Sequence, residues 1–311
     1  MRTCLVTGGA GFIGSAITRA LLERGDNVRV LDNFSTGKRE NLSSIASKIE
    51  LIEGDIRDTS LVAQAVRDVD YIFHQAAFVS VPLSLEDPAK CFDVNVAGTL
   101  NVLSAAQRAR VKRVVLASSA AVYGDTPHMP LTEESRLTSL SPYAAAKRTT
   151  ETYADLYTRA LGLDVVALRY FNVYGPRQSP ASDYAAAIPI FIHRLLAGET
   201  PTIYGDGYQS RDFVFVEDVA RANLLAAEAE NAPGQAFNIC TGEEITVIDL
   251  VEALRAIVPH SPEPKFAPER PGDIYRSVGD ASLAASVLGF QPQISLAEGF
   301  AKTVNWTKSK T

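Results

Sequence analysis

Thr7-Gly8-Gly9-Ala10-Gly11-Phe12-Ile13-Gly14 is the stretch that decides how this chain folds. It follows the apolar run 3–7 and opens a helical pattern over 13–24, so a strand passes through a glycine turn straight into a helix. Gly8, Gly11 and Gly14 stand three apart, giving GxxGxxG rather than GxGxxG. Glycines let a backbone turn tightly and approach a pyrophosphate, while Phe12, Ile13 and Gly14 open a helix whose first N–H groups and dipole favour an anion. A glycine turn can also exist without any ligand. Asp32 shifts the balance, because it follows the second apolar run, 27–31, about 20 residues beyond the glycines. A carboxylate there hydrogen-bonds an adenosine ribose and repels a 2′-phosphate, so the reading is NAD rather than NADP. Asn33 stands beside it, and Asp55-Ile56, after the third run, are expected at the adenine.

Working outward, the apolar runs 3–7, 27–31, 49–53, 71–74, 113–118 and 164–169 alternate with helical patterns over 13–24, 60–66, 94–109 and 143–160. Alternation of this kind implies parallel βαβ units with right-handed crossovers. The expected fold is α/β, a doubly wound parallel sheet (Rossmann) over residues 1–170. Beyond it the pattern changes. Pro176, Pro180, Pro189 and Pro201 interrupt the chain, Gly205 and Gly207 mark a turn, and the proline-dense stretch 259–271 reads as loop. Residues 171–311 are therefore expected to form a smaller mixed α/β domain that binds the substrate. The apolar pieces 213–216 and 236–239 are expected to return toward the main sheet or the domain seam.

Composition excludes several classes. A net charge of −6, with no Lys/Arg run, argues against a nucleic-acid partner. Cys4, Cys91 and Cys240 are far apart and lack metal-ligand spacing, so each reads as a buried small hydrophobe and no metal is expected. No apolar run approaches the ~20 residues of a membrane span, and no leader pattern precedes Thr7. A cytoplasmic location is the expectation.

The catalytic candidates lie further on. Tyr143 and Lys147 form YxxxK within Ser141-Pro142-Tyr143-Ala144-Ala145-Ala146-Lys147. Pro142 suits a helix start, and the i,i+4 spacing puts both side chains on one face. A tyrosine of ordinary pKa is a poor base at neutral pH. Bringing it to ~7 takes about 4 kcal/mol, a demand that neighbouring positive charge can meet. YxxxK is common on surface helices. Here it follows Leu116-Ala117-Ser118-Ser119-Ala120-Ala121-Val122-Tyr123-Gly124, which closes a strand at the carboxyl edge of the sheet, where ligands bind in this architecture.

These motifs, taken in order, resemble the extended short-chain dehydrogenase/reductase family, and the resemblance runs through essentially the whole chain. It implies tightly bound NAD, with Gln75, Ala76 and Ala77 of His74-Gln75-Ala76-Ala77 lining the cofactor and Asn95 supporting the site. It makes Ser119 the third catalytic residue, bonded to the sugar 4-oxygen, with Tyr143 as base and Lys147 on the nicotinamide ribose. It implies a nucleotide-sugar substrate held by Asn172, by Arg211 and Arg270 on the diphosphate, by Tyr204 near the base and by Asp273 at a ribose. Guanidinium forks suit paired phosphate oxygens. The resemblance also implies a homodimer built on helices 94–109 and 143–160, and a place in carbohydrate metabolism.

Two absences narrow the reaction. Dehydratases similar to this chain carry an Asp-Glu pair just after the catalytic hydroxyl residue, and similar decarboxylases usually carry Glu at the second place. Ala120 and Ala121 stand there instead. Oxidation and re-reduction at C4 of a UDP-sugar remains, the resemblance of a 4-epimerase. Ser80, Ala186 and Ser277 match positions that outline the sugar pocket in epimerases of N-acetylated sugars, whereas those restricted to plain hexoses carry Tyr at the place of Ser277. UDP-N-acetylglucosamine is the expected substrate, with UDP-glucose beside it. UDP-glucuronate epimerization, net reduction and a non-enzymatic NAD sensor are the alternatives.

Overall fold

The computed structural model describes residues 1–180, 187–269 and 274–310. Six strands and the helices between them follow the alternation read from the sequence: β1 (Thr3–Thr7), α1 (Phe12–Glu23), β2 (Asn27–Asp32), β3 (Ile49–Glu53), α2 (Thr59–Ala65), β4 (Tyr71–His74), α3 (Val81–Glu86), α4 (Pro88–Phe92), α5 (Thr99–Arg108), β5 (Arg113–Ser119), α6 (Pro142–Ala160) and β6 (Asp164–Tyr170). A seventh strand joins them from far along the chain, so the parallel sheet runs 3-2-1-4-5-6 and then Ala236–Ile239. The order reverses between β1 and β4, and the crevice at their carboxyl ends is the ligand position of such sheets.

Alternate residues of each strand feed opposite cores. Cys4 and Val6 of β1 pack with Ile17 and Leu21 of α1, whereas Leu5 packs with Val102 and Leu103 of α5. Val115 and its neighbours Val114 and Leu116 divide in the same way on β5. A sheet buried on both faces needs apolar residues at every position, which is why these strands read as continuous runs.

After β6 the chain builds a second layer: β7 (Asn172–Tyr174), α7 (Ala187–Leu196), β8 (Thr202–Tyr204), β9 (Ser210–Phe215), α8 (Val216–Glu228), β10 (Ala236–Ile239), β11 (Glu244–Thr246), α9 (Val247–Ile257), β12 (Lys265–Ala267), β13 (Arg276–Ser277), α10 (Ser282–Leu288) and α11 (Leu296–Lys308). Strands β7, β9, β11 and β13 form a four-stranded sheet over a third core, with Tyr174, Phe213, Phe215 and Phe300 in edge-on and tilted contact. The segment 213–216 belongs to this small sheet rather than the large one: Phe213–Phe215 end β9 beside β7, and Val216 begins α8, which packs on α1. The segment 236–239 does enter the large sheet, as β10 beside β6.

Two local expectations change. The helix expected over 94–109 is α5 preceded by a π-helical turn, Asp93–Gly98. Asn95 in that turn uses its side chain elsewhere: Oδ1 accepts from Phe78 N–H at 2.7 Å and Nδ2 donates to Phe78 O at 2.9 Å. Such turns are frequent at functional sites. The proline-dense stretch 259–271 contains a short strand, β12, that pairs in parallel with β8. Lys-Phe-Ala between prolines supplies three extended residues at an edge, where proline is tolerated. Among the described residues no helix is long and apolar enough to cross a membrane.

Candidate active site

The glycine turn leaves β1 through Gly8, whose φ of 69° a side chain tolerates poorly; a Cβ there would also lie 2.6 Å from Ala76 N. A Cβ on Gly14 would meet Gly8 O at 2.1 Å, so this glycine allows the helix to pack on the turn. Gly11 caps α1 with no side-chain hydrogen bond to the first turn, leaving those N–H groups to a ligand. Asp32 is buried rather than solvated: Oδ2 accepts from Ala10 N–H and Oδ1 from Phe34 N–H, each at 2.8 Å. Burial pushes its pKa up and the two N–H donors oppose that rise. A carboxylate has about four acceptor sites, so two remain for ribose hydroxyls. Asn33 Nδ2 reaches Asp55 Oδ2 at 2.8 Å, and Ile56 is buried beneath Gly98, which gathers the expected adenine residues at one edge.

The loop after β4 is held from below. Thr99 Oγ1 donates to Asn95 O at 2.6 Å, so its lone pair faces His74 Nε2, 2.9 Å away. His74 therefore carries its proton on Nε2, and Nδ1 accepts from Thr7 Oγ1 at 2.7 Å. Thr7 Oγ1 in turn accepts from Ala76 N–H at 3.3 Å. Burial and the Lys147 cation push the His74 pKa down to about 3, so the ring is neutral. Gln75 donates to Asn223 Oδ1 and accepts from Tyr170 Oη, while Ala77 continues the half-buried loop above. None of Thr7, His74 and Thr99 stands out by spacing, because the partners lie 67 and 25 residues apart.

On the other side of the crevice, Ser119 ends β5 and its Oγ accepts from Ala121 N–H at 3.2 Å. Pro142 begins α6 with Ser141 as its cap, and Ser84 Oγ accepts the Tyr143 N–H at 3.2 Å. The Tyr143 hydroxyl is near enough to Ser119 for the serine to favour its charged form. Lys147 Nζ donates to Ala117 O at 2.7 Å and lies 5.8 Å from the Tyr143 ring centroid; burial draws its pKa down to about 8. The expected fall in the Tyr143 pKa does not occur in the protein alone. Burial raises it, and Ser119 opposes the rise. Ser118 instead faces Glu151, which holds Arg169 through two bonds of 2.9 and 2.8 Å.

The register of β5 with β6 pairs Ser119 with Tyr170, so the catalytic strand lies two residues from Asn172. Asn172, Tyr204 and Arg211 line a common cavity of about 420 Å³ together with Phe171, Phe191 and Gln209. Ser277 pairs with Arg211 across β13 and β9. Ser80 is not in the lining of this cavity; it caps α3, its Oγ accepting from Leu83 N–H at 3.2 Å, on the helix whose Ser84 holds the Tyr143 N–H. Ala186, Arg270 and Asp273 lie outside the described residues.

Comparison with known proteins fits this geometry. Residues 4–240 match the model of the NAD dependent epimerase/dehydratase family. The chain belongs to that family. It is 44% identical over 317 residues to the UDP-glucose 4-epimerase of Mycolicibacterium smegmatis, covering 100% of both chains. It superimposes with a TM-score of 0.96 on the UDP-N-acetylglucosamine 4-epimerase of Methanobrevibacter ruminantium in complex with UDP-N-acetylmuramic acid, at 40% identity over 100% of this chain and 99% of the other. The UDP-glucose 4-epimerase of Thermotoga maritima with UDP-glucose gives 0.95 and 39%, covering 99% of each. As an enzyme of an NAD-dependent family, the chain offers what NAD requires: an open helix N-terminus, glycines that pack the turn closely, and a buried carboxylate with acceptor capacity left.

Proposed function

We propose that this chain inverts C4 of a UDP-linked sugar through a 4-keto intermediate, with UDP-N-acetylglucosamine and UDP-glucose as substrates. The observation that carries this reading is the placing of Ser119, Tyr143 and Lys147 together at the crevice, Lys147 on the carbonyl of Ala117 in the strand that Ser119 ends, two residues along the β5–β6 register from the cavity of Asn172, Tyr204 and Arg211. When bound, NAD supplies the reversible hydride exchange at C4 and a positive charge beside Tyr143.

In this reading Ser119 bonds the sugar 4-oxygen and orients it, and Tyr143 takes its proton as base. Lys147, fixed on Ala117 O, holds its cation near the phenolate and reaches toward the nicotinamide ribose. The 4-keto sugar turns about its link to the diphosphate so that the opposite face of C4 is presented for hydride return, and Tyr143 gives the proton back to the 4-oxygen. Arg211, with Arg270, Asp273 and Tyr204, retains the nucleotide while the sugar turns. Ala120 and Ala121 open the short turn after Ser119 and supply neither acid nor base, which favours inversion over elimination or decarboxylation. Ser277, half-buried beside Arg211, leaves room for an acetamido group.

We further assign a homodimer through α5 and α6, where Leu156 of α6 stands 45% exposed. Sedimentation showing only monomer at micromolar concentration contradicts the dimer. The three free thiols, all buried, suit a reducing compartment such as the cytoplasm. Incubating the purified protein with UDP-glucose, UDP-N-acetylglucosamine and UDP-glucuronate separately, and reading C4 configuration by NMR, tests the assignment. Inversion of the first two supports it, and inversion of the uronate alone replaces it.

A further inference from the structure

Asp212 has no exposed surface, yet its carboxylate has no cation among its partners in the described residues. Its Oδ1 accepts from Thr241 N–H at 2.8 Å and from Thr241 Oγ1 at 2.7 Å; its Oδ2 accepts from Gly242 N–H at 2.9 Å and Gly279 N–H at 3.3 Å. Its own backbone carbonyl accepts from Asn172 Nδ2 at 3.3 Å. Burying a carboxylate without a cation is costly, and here burial pushes its pKa up while the donors oppose that rise.

The partners explain what the arrangement holds together. Thr241 and Gly242 follow β10, the last strand of the large sheet, whereas Asp212 belongs to β9 of the small one. Gly279 lies two residues after Ser277, and Ser277 pairs with Arg211. Side chains alternate along a strand, so Arg211 faces the cavity while Asp212 is anchored behind it. One carboxylate thus joins the carboxyl edge of the NAD-bearing sheet to the segments carrying Asn172, Arg211 and Ser277. Gly279 has no space to yield, because a Cβ there would lie 2.5 Å from the Phe171 ring.

We propose that Asp212 is a positioning residue that fixes Arg211 and Ser277 in register with the catalytic crevice and thereby sets affinity for the nucleoside-diphosphate end of the substrate. This rests on the reading of the Arg211 cavity as the substrate site. Asp212→Asn conserves size but turns an amide NH2 toward backbone donors on one side, so at least one N–H loses its acceptor. Thr241→Ala removes a single donor.

The test titrates NAD-loaded protein with UDP by calorimetry, with NAD content and steady-state kinetics measured on the same samples. For Asp212→Asn, UDP affinity is expected to fall by ~10-fold or more, KM for the UDP-sugar to rise similarly, kcat to change less than about 3-fold, and NAD content to stay at the wild-type level. Thr241→Ala should shift UDP affinity in the same direction by about 3-fold, and decides the matter alone if Asp212→Asn does not fold. Wild-type UDP affinity in Asp212→Asn, or in Thr241→Ala where that variant decides, overturns the proposal if Arg211→Ala binds UDP weakly. Wild-type UDP affinity in Arg211→Ala overturns the substrate-site reading and the proposal with it. Loss of NAD in parallel with UDP makes the role purely structural and overturns it as well.

Discussion

Ser277 lies directly beside Arg211 in the parallel pairing of β13 with β9. The residue expected to leave room at the sugar and the residue expected to hold the diphosphate therefore sit side by side. An acetamido group needs space in both orientations of the turning 4-keto sugar, and a tyrosine ring would fill that space. Overpacking costs typically 1–3 kcal/mol, about 5- to 150-fold. Ser277→Tyr should lower kcat/KM for UDP-N-acetylglucosamine by that factor and spare UDP-glucose. A parallel decline of both substrates removes Ser277 from the pocket.

Tyr143→Phe keeps the ring against Cys91, Val96 and Ala146 but removes the hydroxyl beside Ser119. Turnover should fall at least ~100-fold, the usual range for loss of a general acid–base group, with NAD still bound. Turnover near wild type would remove Tyr143 from the chemistry.

Asp32 both faces the expected ribose and holds Ala10 and Phe34 N–H. Asp32→Ala should weaken NAD by ~10-fold or more and relax discrimination against NADP, read by fluorescence titration of protein freed of cofactor. An unchanged preference between the two dinucleotides counts against the ribose role.

His74 gives stability a pH dependence of defined sign. Its pKa is about 3 in the fold against 6.5 for the ordinary side chain, so between these values the unfolded chain binds the extra proton. Its contribution is complete above pH 6.5 and is lost as pH falls toward 3, with a slope up to about 1.4 kcal/mol per pH unit. Urea unfolding from pH 7 to 4 should show a loss smaller by about 3 kcal/mol in His74→Gln than in wild type. Equal losses would show that the ring is not buried neutral.

The sheet was legible because its strands are buried on both faces and its glycine turn, Asp32 and YxxxK are local patterns. The spacing of Tyr143 and Lys147 is itself a helix-face statement, and α6 places both where it implies. What was hidden depends on distant partners. Nothing near Asp212 in the sequence announces Thr241 or Gly279, and nothing near Asn95 announces that its side chain will pair with the Phe78 backbone from within a π turn. The strand 265–267 was read as loop because prolines flank it, although its three residues are free to pair. The pKa of Tyr143 was expected to fall under two charges, Lys147 and a nicotinamide cation. In the protein alone burial, which spacing does not report, has the larger effect.

The central claim is that C4 is oxidised and re-reduced within one bound sugar. UDP-N-acetylglucosamine carrying deuterium at C4, incubated with the purified protein and no added reductant, tests it most directly. The account predicts that the C4 epimer forms with the deuterium still on C4. An epimer that has exchanged its label for solvent hydrogen, or labelled sugar that returns without inversion, would contradict it.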